Sequence, residues 1–453
     1  QQCNREQISK LCKVLSQKTS GNKVDCINRI QNLDFPRPIP MFQLVHKALF
    51  EQIVASYTLS HHGTLQPLLL AEIDTIPIQY HPYTLTKQVS IHATRTEYRS
   101  YKDWKQGNAE QIPLCYPLSP IHFRFSGLRF WILHLLNNVP KTMTGEYIAS
   151  LQKTLPYAHQ YRLDIQLRLA RSLLSMSRGK EGLDVLKMAF YQTDSLLDRI
   201  RLRQTGNHLA RRLKKSFPPL KPIQSPFMRT LHWKTKKRGS RQTFNGETVE
   251  LAVLQHIETT GRSGFRTENA PWNALLTLLM LDILFLPVED QFPSPILTAP
   301  LDFNTRQFYQ RRKEPIEERF GELTQYSTRE IIYHQVSKLA HPIEQYRIRG
   351  LNWSQYTLES LLTFADNVPT SVLDCILRHK LLFPTDAHRG LPDLCITAGD
   401  VVTVDKTFPS KLPAHFFFLE VKSEQDTVSP YQKHWFHVLQ SAECTVEVWN
   451  IQS

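Results

Sequence analysis

An aspartate that follows a Gly-x-Pro turn, Gly390-Leu391-Pro392-Asp393, precedes an apolar run, Phe416-Phe417-Phe418-Leu419, that ends in Glu420-Val421-Lys422. Successive side chains of a strand point to opposite faces, so Glu420 and Lys422 share one face. Carboxylates are the oxygen donors that hard divalent cations prefer. Such a cation neutralises the charge that develops as a phosphodiester is hydrolysed. A lysine beside them can orient or help deprotonate the attacking water and stabilise the transition-state charge, and the residue types leave those roles open. The carbonyl of Val421, between the two side chains, is a further candidate ligand. Charged pairs two residues apart are common on strand faces, so Glu-x-Lys alone carries little. An aspartate after a turn and then a buried strand ending in Glu-x-Lys is far more specific. The chemistry these residues suit is metal-dependent phosphodiester hydrolysis.

The elements that must hold them read as strand, loop, strand, helix, strand. Asp393 opens a short apolar strand, and residues 415–422 form the next. Residues 423–428 make a polar loop, Ser429 and Pro430 are a helix N-cap and first position, and residues 444–449 alternate as a closing strand. Gln432, on the helix's first turn, points back toward the strand end, where it can touch the scissile phosphate or a water. Upstream, residues 247–259 predict a helix, and residues 272–285 predict a second one, apolar nearly all round and therefore buried. Glu268 stands at the mouth of that second helix, where the helix dipole alone favours a carboxylate.

The chain has 453 residues, enough for two to four domains, and its 55 Lys and Arg against 41 Asp and Glu favour a polyanionic partner. The surplus is concentrated. Residues 199–241 hold fourteen Lys and Arg with no Asp or Glu, among them Arg211, Arg212, Lys214, Lys215, Lys236, Lys237 and Arg238. Such a run suits sequence-independent phosphate contacts, and a solvated linker is the plainer alternative. Residues 1–35 predict two short helices around Thr19-Ser20-Gly21, similar to a SAP module, with Lys23 where such modules contact the DNA backbone. We expect a mainly helical linker domain over 36–119, with a helix at 41–57, then a helical-repeat domain over 120–225, or a plain helical bundle, and the catalytic domain over 226–453. No apolar run is long enough to span a membrane. Seven dispersed cysteines with no CxxC pair fit a reducing, intracellular compartment. The start at Gln1 suggests a truncated or processed chain.

Three stretches, Gly390-Leu391-Pro392-Asp393-Leu394, Leu419-Glu420-Val421-Lys422 and Ser429-Pro430-Tyr431-Gln432-Lys433-His434-Trp435, resemble the VRR-NUC branch of the PD-(D/E)xK nucleases, and most closely the Fanconi-associated nuclease family, in a bacterial-type member. The resemblance implies a multidomain protein, mostly α-helical in its N-terminal and middle regions, followed by an α/β nuclease domain with a small mixed sheet. It implies Glu268, Asp393, Glu420 and the Val421 carbonyl as ligands of Mg or Mn, with Lys422 catalytic. The implied activity is that of a phosphodiesterase I type enzyme cutting branched DNA at 5′ flaps, with 5′–3′ exonuclease action, in interstrand-crosslink repair. Localisation would be cytoplasm or nucleoid in a bacterium and nucleus in a eukaryote. Tyr431 departs from the animal pattern, which places a phosphate-gripping lysine there. A dimeric junction resolvase and a non-catalytic DNA-binding scaffold are the competing readings.

Overall fold

The computed structural model describes residues 24–26, 81–85, 95–106, 123, 126–220, 225–232, 236–238, 241–244, 247–259, 261–292, 297–384, 387–397, 416–424 and 426–452. The chain divides into two units, Gln1–Leu65 and Gln66–Ser453. Apart from 24–26, the SAP-like pair with Lys23 and the helix expected at 41–57 lie outside the described residues. All that follows concerns the second unit.

Its first half is helical. Helix α1 (Arg95–Gln106) packs on α2 (Gly127–Asn137), and α3 (Gly145–Thr154), α4 (Arg162–Ser175), α5 (Gly179–Gln192) and α6 (Leu196–Arg212) follow, with α4 on α5 and α5 on α6. Ser126, Thr144 and Ser195 cap α2, α3 and α6 by accepting a backbone N–H three residues on. Apolar residues at helical spacing feed two adjoining cores, one around Ile132, Ile148, Leu151, Ile165 and Leu169, the other around Ala170, Leu183, Leu186, Leu202 and Leu209. Gly182 permits the tight α4–α5 approach, because a Cβ there would lie 2.7 Å from the Ala170 carbonyl oxygen. No helix of the described residues is long and apolar enough to cross a membrane.

The C-terminal half is built on a mixed five-stranded sheet in the order β1 (Phe227–His232), β8 (Thr445–Gln452), β7 (Phe417–Ser423), β6 (Leu394–Thr397), β5 (Ser263–Arg266). β1, β8 and β7 run parallel, whereas β6 and β5 are antiparallel to their neighbours. A small second sheet joins β2 (Lys236–Arg238), β3 (Arg241–Phe244) and β4 (Glu247–Thr248). The greasiness of β7 follows from its central place, covered on both faces. On one face α7 (Val249–Glu258) sets Val253 and Ile257 against Leu394, Ile396, Phe417, Leu419 and Val421. The other face turns Cys395, Phe418 and Val448 toward a larger core with Trp272, Trp435 and Phe436.

Between β5 and β6 stand α8 (Asn269–Leu279), α9 (Leu281–Leu284), α10 (Arg306–Arg311), α11 (Lys313–Glu322), α12 (Thr328–Val336), α13 (Leu358–Asp366) and α14 (Thr370–Leu382), and α15 (Pro430–Ser441) connects β7 to β8. The single apolar helix expected over 272–285 is broken at Met280, where the Arg319 guanidinium takes the Leu279 carbonyl and grips Asp282 through two hydrogen bonds. The basic run also needs correction, since part of it is not a linker. Arg229 lies in β1 and holds Glu447 of β8 through two hydrogen bonds of 2.9 and 3.1 Å, in an ion pair largely withdrawn from solvent. Arg201 pairs with Asp164 inside the helical half. Arg211, Arg212, Lys214 and Lys215 are exposed at and beyond the C-terminal end of α6.

Candidate active site

The site forms where β6 begins and β7 ends. The register that pairs Leu394 with Leu419 sets Asp393 opposite Glu420, both on the Cys395 and Phe418 face. Glu420 is 1 % exposed and Lys422 8 % exposed, and the Lys422 ammonium stands 2.7 Å from Glu420 Oε1. The Val421 N–H donates to Asp393 Oδ2 at 2.9 Å. N–H and C=O of one strand residue point to the same side, so the Val421 carbonyl opens on the edge where Asp393 stands.

Gln432 holds protein groups at both ends of its amide. Its Oε1 accepts the Ser429 N–H at 2.8 Å, completing a capping box, while its Nε2 donates to Glu420 Oε1. Gln432 thereby ties Glu420 to the start of α15 and keeps a second Nε2 hydrogen. Beneath that helix start lies Gly390, at φ +89°, where a Cβ would come within 2.5 Å of the Tyr431 carbonyl carbon. Only glycine meets both demands. Tyr431 stands under the Arg201 guanidinium, 5.3 Å from its ring centre, so α6 meets the site helix there.

Electrostatics set the two carboxyls apart from ordinary surface acids. Burial pushes Asp393 up to about 6, the charges of Glu250 and Glu268 adding to the rise while the Val421 N–H and Lys422 oppose it. Burial pushes Glu420 up to about 8, with Asp393 adding and Lys422 opposing. The two carboxyls are close enough to share a proton, and Glu420 Oε2 is buried with no hydrogen-bond donor. Such a facing pair is a place for a proton or a cation. Glu268 is the exposed N-cap residue of α8, without a side-chain capping bond. Among the described residues no three acidic, histidine or cysteine side chains converge tightly enough to grip an ion as they are placed. The set nevertheless fits a divalent cation by its donor chemistry and by the orphaned Glu420 oxygen.

Glu250, in the first turn of α7, was not a sequence candidate. Its effect on Asp393 exceeds that of Glu268, and its position gave no signal beyond that of any acidic residue at a helix start. Of the expected DNA contacts, Arg211 lines a cleft with Arg171, Arg203, His208 and Lys433, between α6 and the start of α15. Lys236, Lys237 and Arg238 form β2.

The VRR-NUC domain family matches residues 324–452. A Fanconi-associated nuclease 1 homolog of Schizosaccharomyces pombe is 34% identical over 219 residues, 48% of this chain and 28% of that protein. The Arabidopsis thaliana homolog is 28% identical over 47% of this chain and 24% of its own length, and that of Pseudomonas aeruginosa 27% identical over 44% and 33%. The match thus spans a third or less of each of these relatives. A crystal structure of paFAN1 bound to DNA with a 2nt 5′ flap and a gap superposes with a TM-score of 0.71 over 99% of this chain and 81% of that one, at 19% identity, which speaks to the fold. Residues 324–452 of this chain therefore match the VRR-NUC domain family, and the chain is similar to the Fanconi-associated nucleases, a bacterial homolog among them.

Proposed function

We propose that this chain is a structure-specific DNA nuclease that hydrolyses phosphodiesters with a divalent cation, Mg or Mn. The observation that carries the reading is the buried, lysine-paired Glu420 facing Asp393, with one carboxylate oxygen lacking any donor. Asp393, Glu420 and the Val421 carbonyl would hold the cation, with Glu268 and Glu250 as outer carboxylates that add negative charge. When bound, it supplies Lewis-acid stabilisation of charge on the phosphate and lowers the pKa of a bound water. The protein's own groups do the rest. Gln432 and Lys422 fix the Glu420 carboxylate, and the Lys422 ammonium, held at the strand end, offers hydrogens to a phosphate oxygen that gains charge.

The cleft carrying Arg171, Arg203, Arg211 and Lys433 gives a phosphate backbone a route past the start of α15. The 5′-flap DNA in the paFAN1 complex supports a 5′ flap as substrate for this chain. Exonuclease steps from a 5′ end and a part in crosslink repair, in the nucleoid or nucleus, belong to the same proposal as what the sequence resemblance implies. The test is a panel of 5′-flap, 3′-flap and four-way junction DNA with Mn2+ and with chelator. Preferential cutting of the 5′ flap that stops with chelator is the expected result. Symmetric nicking of the junction in preference to the flap would make this a resolvase, and cutting unaffected by chelator would end the metal reading.

A further inference from the structure

Lys380, in the last turn of α14, is 5 % exposed and has no part in the chemistry above. Its ammonium donates to Asn269 Oδ1 at 3.0 Å and to the Ala387 carbonyl at 3.1 Å. Asn269 in turn donates through Nδ2 to the His388 carbonyl at 2.8 Å. A lysine and an asparagine therefore hold two consecutive carbonyls at the start of the segment that leads to Asp393.

The end of that segment is gripped as well. The Thr267 N–H donates to the Asp393 carbonyl at 2.8 Å and its hydroxyl to the Pro392 carbonyl at 3.1 Å, while Trp272 donates to the Thr267 carbonyl. Thr267 and Asn269 are the two neighbours of Glu268. The segment 387–393 is thus pinned at both ends to the residues flanking one acidic candidate, and it ends on another.

From this geometry we infer that Lys380, acting through Asn269, is a positioning residue of the nuclease site, setting the separation of Glu268 and Asp393 and with it the affinity for the divalent cation. The inference rests on the nuclease reading. Burial drives the lysine down to about 7, and with either protonation state it has enough hydrogens for both partners. Replacing it by an apolar chain of similar length leaves Asn269 Oδ1 and the Ala387 carbonyl without donors, a cost that falls on the turn rather than on the sheet. Partners one step behind metal ligands commonly alter metal affinity by roughly 10–100-fold.

The experiment is a Mn2+ binding titration by electron paramagnetic resonance on the whole chain without DNA, for wild type, Lys380→Met and Asn269→Ala, with flap cleavage against Mn2+ concentration alongside. We expect Mn2+ to bind about tenfold or more weakly to both variants, the half-saturating Mn2+ for cleavage to rise in step, and the rate at saturating Mn2+ to stay near that of wild type. A lysine that only stabilises the fold would lower the melting temperature and leave Mn2+ affinity unmoved, and that result overturns the inference. If Lys380→Met does not fold, Asn269→Ala decides alone. Wild type that takes up no Mn2+ would overturn the nuclease reading itself, whereas uptake matched by both variants would remove only the role given to Lys380.

Discussion

Replacing Asp393 by Asn tests whether the paired carboxyls store destabilising energy. Asp393 ionises at about 6 in the fold, against an ordinary value of 3.8. Its folded value is raised, so its contribution favours the fold fully below pH 3.8 and is lost as pH rises through 6. The shift corresponds to about 3 kcal/mol at about 1.4 kcal/mol per unit, and about 2 kcal/mol after discounting for the part of Asp393 open to solvent. Asn keeps an oxygen to accept the Val421 N–H, carries no charge, and relieves Glu420, whose rise owes part to Asp393. In chelator at pH 7.5 the variant should therefore be the more stable by about 2 kcal/mol, a gain of roughly 2 °C in melting temperature, and the gap should close near pH 4. With saturating Mn2+ the order should reverse, because binding stabilises only the chain that takes up the ion. Thermal melts of both proteins in chelator and in Mn2+, at pH 4.5 and 7.5, provide the comparison. A variant no more stable than wild type at pH 7.5 in chelator would refute the argument.

Four further outcomes follow from particular contacts. Gly390→Ala should cost about 2–4 kcal/mol by combining positive-φ strain with a clash at the start of α15, read as a lowered urea midpoint together with lost cleavage. His379 and His434, whose Nε2 atoms lie 2.9 Å apart, are driven by burial to about 3 and about 4; their folded values are depressed, so stability present above 6.5 is lost as pH falls toward 4, about 2 kcal/mol from each by pH 5, and a His379→Gln, His434→Gln double variant should lose that slope in urea titrations. Arg229→Met should destabilise the chain by about 3 kcal/mol, because it leaves the buried Glu447 without its ion-pair partner and with the Trp449 indole N–H as a remaining donor, with the salt slope of DNA binding unchanged. Arg211→Ala should instead leave the melting temperature alone and reduce the slope of log affinity against log salt by about 0.9 if it meets one phosphate.

The trio Asp393, Glu420 and Lys422 was legible because each sign is local: a turn that ends at an aspartate, a run of phenylalanines that only a central strand tolerates, and a period of two. Ser429-Pro430 gave the helix start for the same reason. What stayed hidden depends on partners far along the chain. β1 reads as basic sequence with two exposed apolar residues at its start, and it becomes a strand because Arg229 finds Glu447 in β8. β5 is four residues containing a glycine, too short to announce itself, and is held by its pairing with β6. The helices α10 to α14 left little trace in a search for chemistry, although they supply Lys380 and the core behind the sheet. Glu250 looked like any carboxylate in a first helical turn, and Gln432 looked free, until the fold set one beside Asp393 and both ends of the other on neighbours.

The most direct test of the central claim is the Mn2+-dependent cleavage rate of a 5′-flap duplex by Glu420→Ala, with binding to the same duplex measured in parallel. The account expects cutting to fall by at least about a thousandfold, roughly 4 kcal/mol of barrier, while DNA affinity stays within about threefold of wild type, because the basic cleft beside α6 is untouched. Cutting at the wild-type rate by Glu420→Ala would contradict it.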